Sequence, residues 1–291
     1  AALNANTTGN YNTAVGGNAL TANTTANHNT AIGYYAMAVN TTGAENVAVG
    51  SFCLDANTTG GNNVAMGYRA LTANQTGNNN VAMGVDALKN TTVSNNTAVG
   101  HNAMNVNSTG TNNVAVGANA LDANTTANNN TGLGYAALGA NTTGTENVAV
   151  GNNAMQLNTT GASNVAVGRD ALVNNNGSNN TAIGQTALWS NTTASGNTAV
   201  GMQSLYRNTT GRNNSAIGFR SLSKNVQGNA NTVQGGYAMY NNLSGNRNVA
   251  MGFEAGFTAE GNNNVFLGYR AGYNETASIK LYIGSGANTL R

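Results

Sequence analysis

Proline is absent from this chain, and charged side chains make up only 7 % of it. A net charge of +2 over 291 residues provides no dense track for phosphates, which argues against nucleic acid as a partner. The single cysteine, Cys53, excludes an intrachain disulfide and stands where most copies of the repeat described below carry alanine. His28 and His101 fall at unrelated positions, with no further histidine to complete a metal site. No run approaches the roughly 18 apolar residues of a membrane span, and no apolar leader opens the chain, so neither an anchor nor a signal peptide is visible within these residues. Nucleophile, base and orienting group never recur together, so neither an enzyme nor a cofactor is expected.

What the chain has in abundance is asparagine, about a fifth of all residues, and glycine, 38 residues. Glycine recurs at positions 16, 33, 50, 67, 84, 100, 117, 134, 151, 168, 184, 201, 218, 235, 252, 268 and 284, each closing a copy of N-[TV]-A-[VIM]-G-x-x-A-[LM]-x-x-N-T-T-G-x-N. Self-similarity at this period predicts a solenoid, in which each unit buries its apolar face by stacking on the next. Seventeen residues are too few for a helix pair, which needs roughly 33, whereas short apolar runs bounded by glycine and Asn-Thr clusters favour strands and turns. The expected fold is all-β, a parallel β-solenoid of about seventeen coils, each with two short strands and two turns. Such uniform repetition makes residues 1–291 a single array despite a length that would ordinarily accommodate two domains. The chain opens in mid-coil, as a piece of a longer polypeptide would.

The copies show what each position tolerates. The closing glycine, as at Gly16, Gly50, Gly84, Gly117 and Gly168, never varies, which predicts a positive φ or a backbone approach too close for Cβ. The first motif position is asparagine, as at Asn46 and Asn113, in every copy but the last, where Lys280 stands. Stacked asparagines predict an amide ladder from coil to coil. The strand is apolar at three consecutive positions, as in Val64-Ala65-Met66 and Val148-Ala149-Val150, so both of its faces are expected to be covered. One thin coil supplies only one cover, which predicts a homo-oligomer.

Asn46 to Gly50 and Asn113 to Gly117, N-V-A-V-G followed by G-x-x-A, resemble the head repeat of trimeric autotransporter adhesins, whose shorter N-S-V-A-I-G units form a left-handed parallel β-roll. That resemblance implies a homotrimer, intertwined or side by side, on a bacterial surface. The form with the N-T-T-G loop resembles the repeat arrays of phage tail fibres, and residues 262–283 are similar to the segment that precedes an intramolecular chaperone in many fibre proteins. Together these imply an extracellular fibre segment, on a virion or a cell surface, that presents a host-cell or glycan-binding end. A self-stacking filament and an ice-binding solenoid are the alternatives, the latter because Thr24, Thr41, Thr58, Thr125 and Thr142 recur in register. The loops also create N-x-T sequons, at Asn40, Asn57, Asn141 and Asn208 among others, for which turn-forming chemistry is the simpler reading.

Two departures from uniformity stand out. The spacing shortens to sixteen after Gly84, Gly168 and Gly252, which marks blocks of 84 residues, and each of these three coils carries an acid two residues after its glycine: Asp86, Asp170 and Glu254; the last spacing, Gly268 to Gly284, is also sixteen and has Arg270 there. These carboxylates are expected to accept hydrogen bonds from backbone amides freed in the shortened loop, with a repeated charge feature as the alternative. Charge is also uneven. Residues 1–168 hold two bases against five acids, while residues 169–291 hold nine bases against four acids. Aromatic residues gather in the basic part, and Trp189, Tyr206 and Tyr240 with Arg207, Arg220 and Lys224 are the candidate glycan contacts, against a packing role for the same rings.

Overall fold

The computed structural model describes residues 1–286. They contain short strands and turns and no helix. The chain is grouped into two compact units, Ala1–Thr145 and a second beginning at Glu146. In the first unit the strands are β1 (Thr13–Val15), β2 (Thr30–Ile32), β3 (Val47–Val49), β4 (Val64–Met66), β5 (Val81–Met83), β6 (Thr97–Val99), β7 (Val114–Val116) and β8 (Thr131–Leu133). In the second they are β9 (Val148–Val150), β10 (Val165–Val167), β11 (Thr181–Ile183), β12 (Thr198–Val200), β13 (Ser215–Ile217), β14 (Thr232–Gln234), β15 (Val249–Met251), β16 (Val265–Leu267) and β17 (Leu281–Ile283). Within each unit every strand pairs in parallel with the next at equivalent motif positions, for example Ala48 with Ala65 and Ala182 with Ala199. Each unit is thus a parallel β-solenoid.

Each coil contains one strand, not two. The expected second strand is replaced by a turn segment that passes twice through left-handed backbone: Phe52 has φ 56° and Leu54 φ 50°, and the same two positions repeat at Arg69 and Leu71. A third left-handed residue precedes the strand, as at Glu45 with φ 62°. Non-glycine residues pay about 1–2 kcal/mol for this conformation. Stacking offsets the cost, because these amides donate to flanking coils: Phe52 N to Tyr34 O at 2.9 Å, Leu54 N to Ala70 O at 3.0 Å and Glu45 N to Asn27 O at 3.1 Å.

The conserved corner glycine meets both conditions proposed for it. Gly16, Gly50, Gly84, Gly117 and Gly168 have φ between 125° and 141°, and a Cβ on Gly16 or Gly50 would lie 2.6 or 2.7 Å from the carbonyl oxygen of the next corner glycine. Inside the coil sit the middle strand residue and the Ala-Leu pair, such as Ala65, Ala70 and Leu71, all fully buried. Cys53 fills one of these alanine sites with its sulfur 2.8 Å from Gly67 O, and burial pushes its thiol up to about 11.

Two asparagine columns flank this apolar core. In the first, Asn46 N donates to Asn29 Oδ1 at 2.9 Å, Asn46 Nδ2 donates to Gly60 O at 2.9 Å, and Asn46 Oδ1 accepts from Asn63 N at 2.9 Å. Asn113 repeats the pattern with Asn96 Oδ1 at 3.1 Å and Ala127 O at 2.8 Å. The second column is the asparagine of the N-T-T-G loop, where Asn57 Nδ2 donates to Asn40 Oδ1 and to Gly60 O. Beyond the first rungs, Asn6 and Asn12, the asparagines of both columns are buried, and hydrogen bonds keep buried amides tolerable.

Candidate functional site

The turn following each Ala-Leu pair places one side chain per coil in an outward column. In the second unit Trp189 and Tyr206 stack there with centroids 5.5 Å apart and planes 18° apart. Ser223 interrupts the column. It resumes with Tyr240, Phe257 and Tyr273, stacked at 5.4 and 4.9 Å. Lys224 Nζ lies 4.9 Å from the Tyr240 ring and donates to Asn241 Oδ1 at 2.8 Å. Arg220 belongs to another column, where its Nε donates to Gln203 Oε1 at 2.6 Å and its guanidinium lies 5.3 Å from the Phe219 ring. Arg207 is exposed. Trp189 and Tyr206 therefore form one pair and Lys224 and Tyr240 another, while Arg220 packs separately. Ring faces turned toward each other are spent on stacking, which leaves edges and end faces for any sugar.

Two further aromatic groups escaped a search confined to that column. Tyr34, Tyr35, Phe52 and Tyr68 pack together in the first unit, with centroid separations from 4.5 to 6.2 Å, and Phe219, Tyr237 and Phe253 do so in the second. They occupy the first and second positions after the corner glycine, so tabulating those positions by coil would have found them. Phe52 and Tyr68, with Asp55, Arg69 and Thr72, also line a hollow of about 260 Å³. Burial pushes the Asp55 carboxyl up from its ordinary range.

The acids of the shortened coils do not act as expected. Asp86 Oδ1 lies 3.2 Å from Arg69 Nε and 3.8 Å from Lys89 Nζ. Asp170 Oδ2 lies 3.4 Å from Arg169 Nε, and its Oδ1 accepts from Asn153 Nδ2 at 3.2 Å. Glu254 Oε2 accepts from Arg270 Nε at 2.5 Å, and this bond is the main cause that raises Arg270 above its ordinary range. Asn90 N donates to Asn105 O, Thr91 N to Leu88 O and Asn95 N to Asn78 O. The carboxylates face basic and amide side chains instead, and among the described residues no loop amide donates to them. The repeated charge feature is the reading the geometry favours. Its signal was legible, since Arg69 and Asp86, and likewise Glu254 and Arg270, share one motif position in adjacent coils.

Other candidate groups are occupied internally. The sequon asparagines Asn40, Asn57, Asn141 and Asn208 are fully buried, and their Nδ2 atoms donate within the second column, which denies them to a glycosylating enzyme. Thr41 and Thr125 donate their hydroxyls to Thr58 O and Thr142 O at 3.0 and 3.2 Å, so these hydroxyls join coils instead of forming a free array. His28 stacks on Tyr11 at 4.9 Å. Among the described residues no three His, Cys, Asp or Glu side chains converge as metal ligands, and no helix is long and apolar enough to cross a membrane.

The outer strand face carries exposed apolar side chains in both units. The middle strand residue is buried, whereas its neighbours point outward, so Ile32, Met66 and Met83 in the first unit and Val150, Ile183, Ile217 and Met251 in the second are between 36 and 44 % exposed. The third strand position is large and apolar in every coil except at Gln234. No protein-family model matches this chain, and no curated protein does.

Proposed function

We propose that the chain is a structural and adhesive segment of an extracellular fibre, a phage tail fibre or a bacterial surface adhesin, that associates as a homotrimer and presents a host-cell or glycan-binding surface. The outer strand face carries this reading. A contiguous column of valine, isoleucine, leucine and methionine on a soluble chain marks an association surface, and a repeat array offers the same column to each copy of itself. The resemblance of N-V-A-V-G to the adhesin head repeat, and of the N-T-T-G loop to tail-fibre arrays, supports three copies and an extracellular setting. Occupied threonine hydroxyls and buried sequons weigh against the ice-binding and glycosylated alternatives. The role is binding and architecture, without catalysis.

Light scattering or native mass spectrometry of the purified chain tests the association directly. A discrete trimer is the expected result. A monomer would remove the argument from the strand face, and open-ended polymers would favour the self-stacking filament.

A further inference from the structure

Near the end of the second unit, three consecutive coils depart from the array at one loop position and carry an unbroken run of asparagine at a second. Eight residues before the corner glycine the chain carries threonine in every coil from Thr8 to Thr210 except at Asn176, and then Gln227, Ser244 and Glu260. Six residues before the glycine stand Asn229, Asn246 and Asn262; asparagine also occurs there at Asn10, Asn27, Asn78 and Asn128, but nowhere else in three successive coils. The changed row and the unbroken amide run therefore lie side by side only in these three coils.

The amides form a fixed ridge. Asn229 N and Nδ2 both donate to Asn246 Oδ1, at 2.9 and 3.1 Å, and Asn246 N and Nδ2 both donate to Asn262 Oδ1, at 2.7 and 3.0 Å. Their remaining amide protons go to Gln227 O and Ser244 O, each at 2.9 Å. A hollow of about 530 Å³ runs along one side of the ridge, bounded by Thr210, Gln227, Ser244 and Glu260. A second, of about 380 Å³, lies on the other side beside Arg247 and Asn263. The side chains of Thr210, Gln227, Ser244 and Glu260 are exposed and make no hydrogen bond or ion pair among the described residues.

We propose that this ridge and its polar row form a binding groove for a neutral polysaccharide chain, with Gln227, Ser244 and Glu260 as the discriminating contacts. The inference rests on the reading of the chain as a glycan-presenting fibre segment and names the surface responsible. Amide, hydroxyl and carboxylate groups with no apolar wall suit a ligand dense in hydroxyls, which both donate and accept, whereas an apolar ligand would leave every one of them unpaired. One such group stands on each of these coils, about 4.8 Å apart, so a linear glycan laid along the stack meets a polar side chain on each successive coil, and the weak contacts sum. The hydrogen-bonded ridge is ordered before the ligand arrives, which lowers the cost of binding. Glu260 disfavours an acidic chain.

The test restores the array's own consensus, Gln227→Thr with Ser244→Thr and Glu260→Thr, substitutions that the other coils show to be compatible with the fold. Native protein, this triple variant and a Trp189→Ala, Tyr206→Ala variant are compared on an array of immobilised neutral and acidic oligosaccharides. The native protein and the aromatic variant should bind neutral chains, and the triple variant should bind them at least roughly tenfold more weakly. Equal binding by the triple variant overturns the groove. If binding is instead lost in the aromatic variant alone, the groove falls while the glycan-binding reading stands. Retention of acidic chains only, or of none, also overturns the groove, and neither result bears on self-association, which the mass measurement decides separately.

Discussion

A buried amide needs partners for both of its heavy atoms, and the second asparagine column shows what happens when one rung changes. Thr91 takes the asparagine position in the first shortened coil and is fully buried. Its hydroxyl accepts from Asn107 Nδ2 at 3.2 Å, but its short side chain does not reach back as an amide would, and Asn74 Oδ1 in the preceding coil is left buried without a hydrogen bond. An orphaned acceptor of this kind costs about 1–3 kcal/mol. The second shortened coil retains the rung: Asn175 Nδ2 donates to Asn158 Oδ1 at 3.3 Å and to Gly177 O at 2.8 Å, so an asparagine fits a loop that has lost a residue. Thr91→Asn should therefore stabilise the first unit by about 1 kcal/mol, read as a higher urea midpoint and slower hydrogen exchange around Asn74. An unchanged or lower midpoint would show that the shorter loop holds residue 91 out of reach.

At the scale of the element, one strand and one left-handed turn segment form a coil, and the two exchange volume where the pattern changes. Phe266 stands in β16 at the position of the small middle residue, and the leucine position becomes glycine at Gly256 and Gly272. A Cβ on Gly256 would come within 2.6 Å of the Phe266 ring, and one on Gly272 would also collide with it. The backbone does not forbid leucine there, since φ is 58° and 60°, close to the 49–54° of leucines at this position in coils such as those of Leu222 and Leu138. Phe266→Ala alone should cost about 3–5 kcal/mol through the cavity it opens, and Gly272→Leu alone should destabilise by overpacking. Gly256→Leu added to Phe266→Ala should recover most of the loss, and a sum of the separate thermal shifts would sink the idea of compensation; at Gly272 the Tyr282 ring also lies 3.2 Å from a Cβ, so leucine there stays overpacked. The period, the interior alanine and leucine, the corner glycine and the first amide ladder were legible because each repeats in register. The turn segment was not, since residues as different as Phe52, Arg69 and Asp86 occupy the same left-handed position and carry no mark of it. The acids differ from expectation for a related reason: Arg69 for Asp86, Asn153 for Asp170 and Arg270 for Glu254 each lie one coil away in space and about one repeat away in sequence. The candidate aromatic residues were legible by position, but how their faces are spent depends on stacking distances that no single coil reveals.

At the scale of the whole molecule the outer strand face decides between a chain that stands alone and one that is incomplete alone. Stacking satisfies the inner face and nearly all the buried backbone and amide groups, yet it leaves the third strand residue of each coil facing water. Selection for solubility of a lone chain would place polar residues there, and the fold permits it: Gln234 occupies the position, exposed, while β14 keeps its pairing with β13 and β15. The proposed association would account for the large apolar residues at this position elsewhere in each unit. Lysine at Ile32 and Met66 in the first unit and at Ile183 and Ile217 in the second should leave the circular dichroism of the β-solenoid unchanged, because each side chain already reaches solvent, and each ammonium would have to be desolvated to enter an apolar interface. The variant should sediment as a monomer under conditions where the native chain is a trimer. A variant that keeps its native spectrum and still sediments as a trimer would place the interface elsewhere on the chain.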